Sequence, residues 1–340
     1  MYYSLYLEKI MKELLVLLVA ILFMFVGCNK SKDSTPQKED THTLMTQAKQ
    51  IFGALPDKMP GSENDTPELI ELGKKLYFEK GLSINNSQSC NTCHNIEGKG
   101  AGVDNKPTSE GALGKKGTRN SPTVLNAGFH FVQFWDGRAK DLKEQAKGPI
   151  LNPIEMGSKS EEDVVKMLSI SDVYKPLFAK AFPKEESAIT YDNMANAIAA
   201  FERTLVTKSR FDDFMNGNMA VLDKDELAGL NTFIKVGCIT CHTGQMIGGN
   251  LYQKVGLYKP YKNITDLGRF EVTKQEADKF MFKVPTLRNI ALTQPYFHDG
   301  AVATLEEAVP LMAQLNLNKE LKPEEVKQIV AFLKSLSKKI

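Results

Sequence analysis

The sequence predicts a mainly α fold built from two domains of the same design. Apolar residues recur at helical spacing in four segments, whereas alternating strand patterns are scarce. One local order, a helix followed by a short connection and a Cys-x-x-Cys-His motif, is used twice, and a length of 340 residues suits two domains, or three at most. The apolar positions are Leu69, Leu72 and Leu76; Met194, Ile198, Phe201 and Leu205; Leu227, Leu230 and Phe233; and Val326, Ile329, Val330, Leu333 and Leu336.

Capping residues mark where these helices begin. Thr66 before Pro67 supplies an N-cap and a proline in the first turn. Asp223 caps the helix that leads to the second motif. Thr304 with Glu307 forms a capping box in front of a further apolar stripe, Leu305, Ala308, Val309 and Met312. The repeated unit is therefore a supersecondary structure, a capped helix that leads into a Cys-x-x-Cys-His motif.

The Cys-x-x-Cys-His motifs carry the chemistry. In such a motif two thiols bind the vinyl groups of a haem, and the adjacent His becomes an axial ligand of the iron. The alternatives are one zinc ion held by both pairs of cysteines, or a redox dithiol. The pairs lie far apart in sequence and each ends in His, which favours two haem c groups in two cytochrome c-like domains. The motif residues are Cys90, Cys93 and His94, and Cys238, Cys241 and His242.

The remaining cysteine, Cys28, follows an apolar run from Leu14 to Val26. This pattern predicts a lipoprotein signal peptide over residues 1–27, with Cys28 acylated and residues 28–60 forming a flexible tether from a membrane anchor. The alternative is an uncleaved anchor, although the run is short for a span of about 20 residues. Both interpretations export the folded part to the periplasmic side, where haem c is attached.

The composition argues against a disulfide-stabilised protein and against a nucleic-acid-binding protein. No cysteine pair remains for a structural disulfide, because four of the five cysteines belong to the motifs. The net charge of +2 gives no support to nucleic-acid binding, which needs a concentrated basic face.

Between Leu69 and Leu336 the sequence resembles the bacterial di-haem cytochrome c peroxidases, a family that includes MauG-type relatives. Several blocks match in the same order around the two motifs. They are Arg119-Asn120-Ser121-Pro122-Thr123, Phe134-Trp135-Asp136-Gly137-Arg138, Glu144-Gln145-Ala146, Asn152-Pro153-Ile154-Glu155-Met156, Phe201-Glu202-Arg203-Thr204-Leu205, Leu287-Arg288-Asn289 and Pro295-Tyr296-Phe297-His298-Asp299-Gly300.

The resemblance implies reduction of hydrogen peroxide with electrons from a small cytochrome c or a cupredoxin, by a protein that is usually a homodimer. It implies an N-terminal peroxidatic domain over 61–206 and a C-terminal electron-transfer domain over 207–340. Whether the last helix packs back on the first domain stays open.

The resemblance also assigns roles to individual residues. Glu155 matches the family's distal acid–base, and its apolar flanks favour the protonated form. Gln145 matches the amide that positions peroxide, and Trp135 the indole between the haems. Met312 matches the axial Met of the C-terminal haem, although its stripe alone would make it a core residue. Asn120, Thr293 and Pro295 match a calcium site made of oxygen ligands.

One feature of the family is missing. Many members carry a His 16 to 18 residues after the first motif that closes the distal face of that haem, and residues 109–117 contain none. We therefore expect an open distal site at rest, with His130 as the less favoured substitute. His298 is expected to bind no iron, and Arg119 and Arg288 are candidates to neutralise haem propionates.

Two other functions remain open. A di-haem electron carrier would need neither Glu155 nor Gln145. A MauG-like oxidase that modifies a protein would carry Tyr where this chain has Met312.

Overall fold

A computed structural model describes residues 35–97 and 100–338. The predicted signal peptide and Cys28 lie outside these ranges. The chain divides into two units at Thr43 and Leu44, and the second unit, to Ile340, contains both motifs. No helix in the described ranges is long and apolar enough to cross a membrane.

Within the described ranges the fold is mainly helical. Its α-helices are α1 Thr35–Phe52, α2 Pro67–Tyr77, α3 Cys90–Cys93, α4 Leu142–Leu151, α5 Glu161–Ile170, α6 Tyr174–Ala181, α7 Tyr191–Glu202, α8 Arg210–Met215, α9 Lys224–Val236, α10 Phe270–Thr273, α11 Leu305–Leu317 and α12 Pro323–Ser335. Two short antiparallel strands, β1 Tyr252–Lys254 and β2 Met281–Lys283, pair Tyr252 with Lys283. Short 3-10 turns occupy Ser62–Asn64, Lys80–Leu82, Ala127–Phe129, Cys238–Thr240, Glu276–Asp278 and Ile290–Leu292.

The helix starts agree with the capping residues. The Thr66 hydroxyl accepts from the Leu69 amide at the start of α2. Asp223 forms a reciprocal capping box in front of α9, and Thr304 does the same in front of α11. Each cap satisfies an amide that the helix itself leaves unpaired.

Helix α1 corrects the predicted tether. Residues 35–52 are helical, although a flexible segment was expected over 28–60. Met45, Ala48 and Phe52 are spaced by three and four residues and are buried in the hydrophobic core. Phe52 packs edge-on against Phe211 with 5.8 Å between ring centroids. Burial of this apolar stripe stabilises a helix whose first half is polar.

Two hydrophobic clusters account for most of the interior. One joins apolar side chains of α2, α4, α5, α6 and α7. The other joins side chains of α1, α8, α9, α11 and α12. The last helix, α12, therefore packs on α9 and not back on the first cluster. The proposed division at 206/207 stays a prediction.

A glycine permits the same helix crossing in both clusters. A Cβ on Gly73 of α2 would lie 1.8 Å from the carbonyl oxygen of Ala197 in α7. A Cβ on Gly229 of α9 would lie 1.9 Å from the carbonyl oxygen of Gln328 in α12. Neither helix pair could approach so closely if a larger residue replaced the glycine. The repeated sequence pattern is therefore accompanied by the same close helix packing in both clusters.

A second repeated feature is a Pro-Thr-x-x-Asn loop, at residues 122–126 and 285–289. Its Asn has φ 62° and ψ 10° in both copies and is followed by a 3-10 turn. Asn tolerates this left-handed conformation better than most residues. Residues of both loops line the cavities described in the next section.

Candidate functional site

The first motif lies at the edge of a cavity. Helix α3 begins with a capping box between Ser89 and Thr92, and the amide of His94 donates to Cys90 O over 2.9 Å. His94 Nδ1 lies 3.4 Å from Gly102 O, which leaves Nε2 available as a ligand. Burial lowers the pKa of His94, and a neutral imidazole is the form that binds a metal.

The second motif repeats this arrangement at a second cavity. Gly237 adopts φ 98°, ends α9 and turns the chain directly into Cys238–Thr240. His242 Nδ1 lies 3.2 Å from Ile247 O, so again one ring nitrogen faces a carbonyl and the other is available. Burial lowers the pKa of His242 to about 4. In both motifs a backbone carbonyl therefore orients the histidine ring, and burial favours its neutral form.

The two motifs do not meet at one place in the fold. The first lines one cavity and the second lines another. Over residues 35–97 and 100–338, no group of three or more His, Cys, Asp or Glu side chains could hold a metal ion. The zinc interpretation needs ligands from both motifs at one place, whereas the two motifs line different cavities.

Glu155 and Gln145 line the cavity of the first motif. Glu155 Oε1 accepts from Asn152 Nδ2 over 2.8 Å, and the Glu155 amide donates to Asn152 O over 2.9 Å. Burial raises the pKa of Glu155, an effect that nearby Arg138 and the Asn152 bond partly oppose. This is the direction that the apolar flanking residues predict, and it suits a group that must both hold and release a proton.

The segment without the expected His is held against Glu155. The amide of Ala112 donates to Glu155 O over 2.7 Å. Gly111 leaves no room for a side chain, because a Cβ there would lie 2.2 Å from Ile154 O. His130, the substitute considered from sequence, lines the cavity of the second motif and not that of the first.

Met312 lines the second cavity together with His242. The other members of its stripe, Leu305, Ala308 and Val309, line the same cavity. The stripe on α11 thus faces the space beside the second motif, and Leu305, Ala308 and Val309 also belong to or pack against the second hydrophobic cluster. No other methionine lines that cavity, among the residues that the structure describes.

Trp135 lines both cavities. Its indole Nε1 donates to Asn120 O over 2.8 Å, and its carbonyl oxygen accepts from the Lys283 amide over 2.8 Å. The ring of His298 contacts it edge-on, with 6.4 Å between centroids. The indole is therefore fixed between residues from both halves of the chain.

The residues assigned to calcium lie along the second cavity. Asn120, Thr293 and Pro295 all line it, and Asn120 Nδ2 donates to Lys106 O over 2.9 Å. They are brought together from distant parts of the sequence, and carbonyl ligands of this kind leave no motif.

Both arginines considered for propionates already have carboxylate partners. Arg119 binds Asp266 with two nitrogens at 2.7 Å each and Asp136 at 2.6 Å. Arg288 is buried and lies 2.9 Å from Asp212. These ion pairs hold loops in place beside the cavities.

Sequence reasoning gave no role to Glu202, one of several buried polar groups at the cavities. Glu202 lines the first cavity and burial raises its pKa to about 8. His130 Nε2, His298 Nε2 and Glu202 Oε2 are buried without a hydrogen-bond partner in the described ranges. Such orphaned atoms at a cavity wall fit a bound group with polar edges, as haem has. The matching block around Glu202 was the one available signal.

Comparison with known proteins agrees with this geometry. The sequence profile described as di-haem cytochrome c peroxidase matches residues 67–220. A cytochrome c551 peroxidase of Nitrosomonas europaea is 50% identical over 80% of this chain and 81% of its own length. The cytochrome c551 peroxidase of Pseudomonas aeruginosa is 48% identical over 87% of each chain. The methylamine utilization protein MauG of Methylorubrum extorquens is 32% identical over 96% of each.

Solved structures show the same fold. A MauG-like protein associated with microbial copper homeostasis superimposes with a TM-score of 0.72 at 28% identity, over 84% of this chain and 93% of that one. The di-haem peroxidase BthA of Burkholderia thailandensis gives 0.70 at 19% identity, over 85% and 95%, which concerns the fold alone.

The repeated motif and its two cavities define a c-type cytochrome with two haem sites. The chain belongs to the di-haem cytochrome c peroxidase family. This membership makes it an oxidoreductase that acts on peroxide, and it implies two haem c groups, which the two motifs fit.

Proposed function

We propose that the chain reduces hydrogen peroxide to water at the haem of the first motif, with electrons that enter at the haem of the second. The difference between the two cavities carries this proposal. Glu155 and Gln145 line the first, whereas Met312 lines the second. When bound, the haems supply one-electron chemistry, and the protein supplies orientation and proton transfer.

Proton transfer is assigned to Glu155. Each peroxide takes up two electrons and two protons and yields two waters. Glu155 accepts a proton from one peroxide oxygen and gives it to the other, which leaves as water. The raised pKa and the bond to Asn152 support this role, because the carboxyl is held in one place and is easily protonated. The amide of Gln145 positions the peroxide.

Electron entry is assigned to the second motif. A His and Met ligand pair, here His242 and Met312, raises the potential of a haem, as an electron acceptor from a small cytochrome c or cupredoxin requires. Trp135 assists transfer between the two sites, since it lines both cavities.

The distal side of the first haem is open at rest in this proposal. Residues 109–117 contain no His, and the bond from Ala112 to Glu155 O keeps this segment beside the distal carboxyl. Prior reduction of the second haem would then be unnecessary for peroxide to bind.

The remaining features of the proposal rest on the resemblance and on the N-terminal pattern. The N-terminal haem domain covers 61–206 and the C-terminal one 207–340, with one Ca²⁺ bound by Asn120, Thr293 and Pro295. The mature protein is a periplasmic lipoprotein anchored at Cys28, and it forms a homodimer.

Peroxide turnover with a reduced cytochrome c tests the function. We expect equal rates whether the reaction starts from fully oxidised or half-reduced enzyme. Activity only after half-reduction would keep the peroxidase and contradict the open site. Absence of turnover in both states, with both haems present, would favour an electron carrier.

The variant Glu155→Gln tests the acid–base assignment. We expect peroxide turnover to fall by about 10²–10⁴-fold while both haem spectra stay unchanged. Glu162→Gln changes an exposed carboxylate in the nearby helix α5 and serves as the matched control. A Glu155→Gln enzyme with unchanged turnover would contradict the assignment.

A further inference from the structure

A buried lysine lies beside the cavity of the second motif. Lys283, at the end of β2, is only 5% exposed, and no carboxylate in the described ranges forms an ion pair with it. Its ammonium lies 3.2 Å from His130 Nδ1 and 3.2 Å from Val132 O. Burial lowers the pKa of Lys283 to about 7, although Asp136 opposes the shift. Such a lysine lacks the counter-charge that buried ammonium groups normally have.

His130, beside this lysine, has a ring nitrogen with no hydrogen-bond partner in the described part of the chain. Because its Nδ1 faces the Lys283 ammonium, that nitrogen is the acceptor, and the ring proton resides on Nε2. His130 Nε2 is buried and has no partner in the described part of the chain. The ring packs on Gly249, where a Cβ would lie 2.4 Å from His130 Cδ2. The fold thus makes room for an imidazole whose outer nitrogen is left free.

The net charges of the residues that line the two cavities also differ in sign, which supports an anionic ligand in the second cavity. The described residues that line the second cavity include Lys283, Lys254 and Arg288 but no Asp or Glu. The first cavity is lined by two arginines, Arg119 and Arg138, and by a larger number of carboxylate residues, Glu110, Asp136, Glu155, Glu202 and Glu271. An anionic group is therefore favoured in the second cavity, and the unpartnered His130 Nε2 marks where it would bind.

We propose that His130 Nε2 binds a carboxylate of the group held in the second cavity, a haem propionate, while Lys283 holds the imidazole through Nδ1, and that the charge of the lysine raises the reduction potential of this haem. Reduction adds one negative charge to the haem, and a buried cation nearby stabilises the reduced form. The inference rests on a haem being held at the second motif, as proposed above, and not on peroxide chemistry.

The test is the midpoint potential of each haem, measured by spectroelectrochemical titration of the holoprotein. We expect Lys283→Met to make reduction of the C-terminal haem about tenfold less favourable, which lowers its potential by ~59 mV for one electron. The potential of the N-terminal haem should stay unchanged. Lys283→Arg keeps the charge and should restore most of the wild-type potential.

Val284→Ala is the matched control, because it removes apolar bulk from the same cavity wall without changing charge. An unchanged potential in Lys283→Met, or an equal shift in Val284→Ala, would overturn the proposal. His130→Leu provides a second variant if Lys283→Met does not fold. It should lower the same potential, and no shift in it would also overturn the proposal.

The potential is measured without peroxide, so the two proposals can fail separately. Shifted potentials in a protein that does not turn over peroxide would support the carboxylate site and contradict the proposed function. Normal peroxide turnover with unshifted potentials in the variants would support the proposed function and contradict the carboxylate site.

Discussion

Asn126 and Asn289 donate hydrogen bonds to the same atom. The Nδ2 group of each lies 3.0 Å from Thr207 Oγ1. The two asparagines hold equivalent places in the repeated Pro-Thr-x-x-Asn loops, and both are buried. One threonine between the repeats therefore joins the loops that border the two cavities.

Thr207→Val is expected to lower the free energy of unfolding by about 2 kcal/mol, because it removes the hydroxyl acceptor of two buried amide groups, of which only Asn126 Nδ2 keeps a second acceptor, Thr207 O at 3.3 Å. Thr207→Ser keeps the oxygen and should cost much less. Chemical denaturation of the holoprotein measures both. Equal stability of the Val and Ser variants would show that the shared hydroxyl has no structural role.

The sequence predicted best those features whose chemistry needs contiguous residues. The motif from Cys90 to His94 is one, and the capping box of Thr304 and Glu307 that begins α11 is another. The pair Lys283 and His130 was not predicted, because tertiary folding brings together residues 153 positions apart. Helix α1 was missed because polar residues fill its first half.

Met312→Ala should change the absorption and magnetic spectra of one haem only. The physical reason is loss of a thioether ligand at the second motif, while the first cavity is untouched. Spectra of the ferric and ferrous holoprotein measure the effect. Val309→Ala, on the same face of α11, is the control for packing. Two unchanged spectra in Met312→Ala would show that the ligand is another residue.

Gly229→Ala should lower the free energy of unfolding by about 3 kcal/mol, since the new methyl group would collide with Gln328 O in α12. Gly73→Ala should do the same at α7. Gly148→Ala is the control, because its Cβ would only contact the Phe134 ring at 3.6 Å and its helix would gain up to about 1 kcal/mol. Thermal unfolding measures all three variants. A loss of stability in Gly148→Ala as large as in the other two would show that close helix contact is not the cause.

Trp135→Phe should slow electron transfer between the haems without changing either haem spectrum. The phenyl ring keeps much of the bulk but loses the indole and its bond to Asn120 O. Half-reduced enzyme mixed with peroxide in a stopped-flow instrument reports this step directly. Phe131→Leu, at an exposed aromatic residue nearby in the sequence, is the control. An unaltered transfer rate in Trp135→Phe would assign the indole to packing alone.

The titration of the buried Glu202 carboxyl should make the free energy of unfolding fall as pH rises. Burial raises its folded-state pKa to about 8 from a usual value of 4.5, so the folded protein keeps a proton that the unfolded chain releases. Between these two pH values, unfolding releases a proton, and stability decreases with a slope of up to about 1.4 kcal/mol per pH unit. Below the lower value both states are protonated and the effect vanishes.

Glu202→Gln removes this titration while keeping the shape of the side chain. The free energy of unfolding of the variant, relative to wild type, should therefore increase steadily from pH 5 to pH 8. Denaturation of both holoproteins across this range measures the difference, and the values near pH 5 serve as the internal control. A difference that stays constant with pH would show that Glu202 is ionised in the folded protein, with a charged partner supplied by the bound haem.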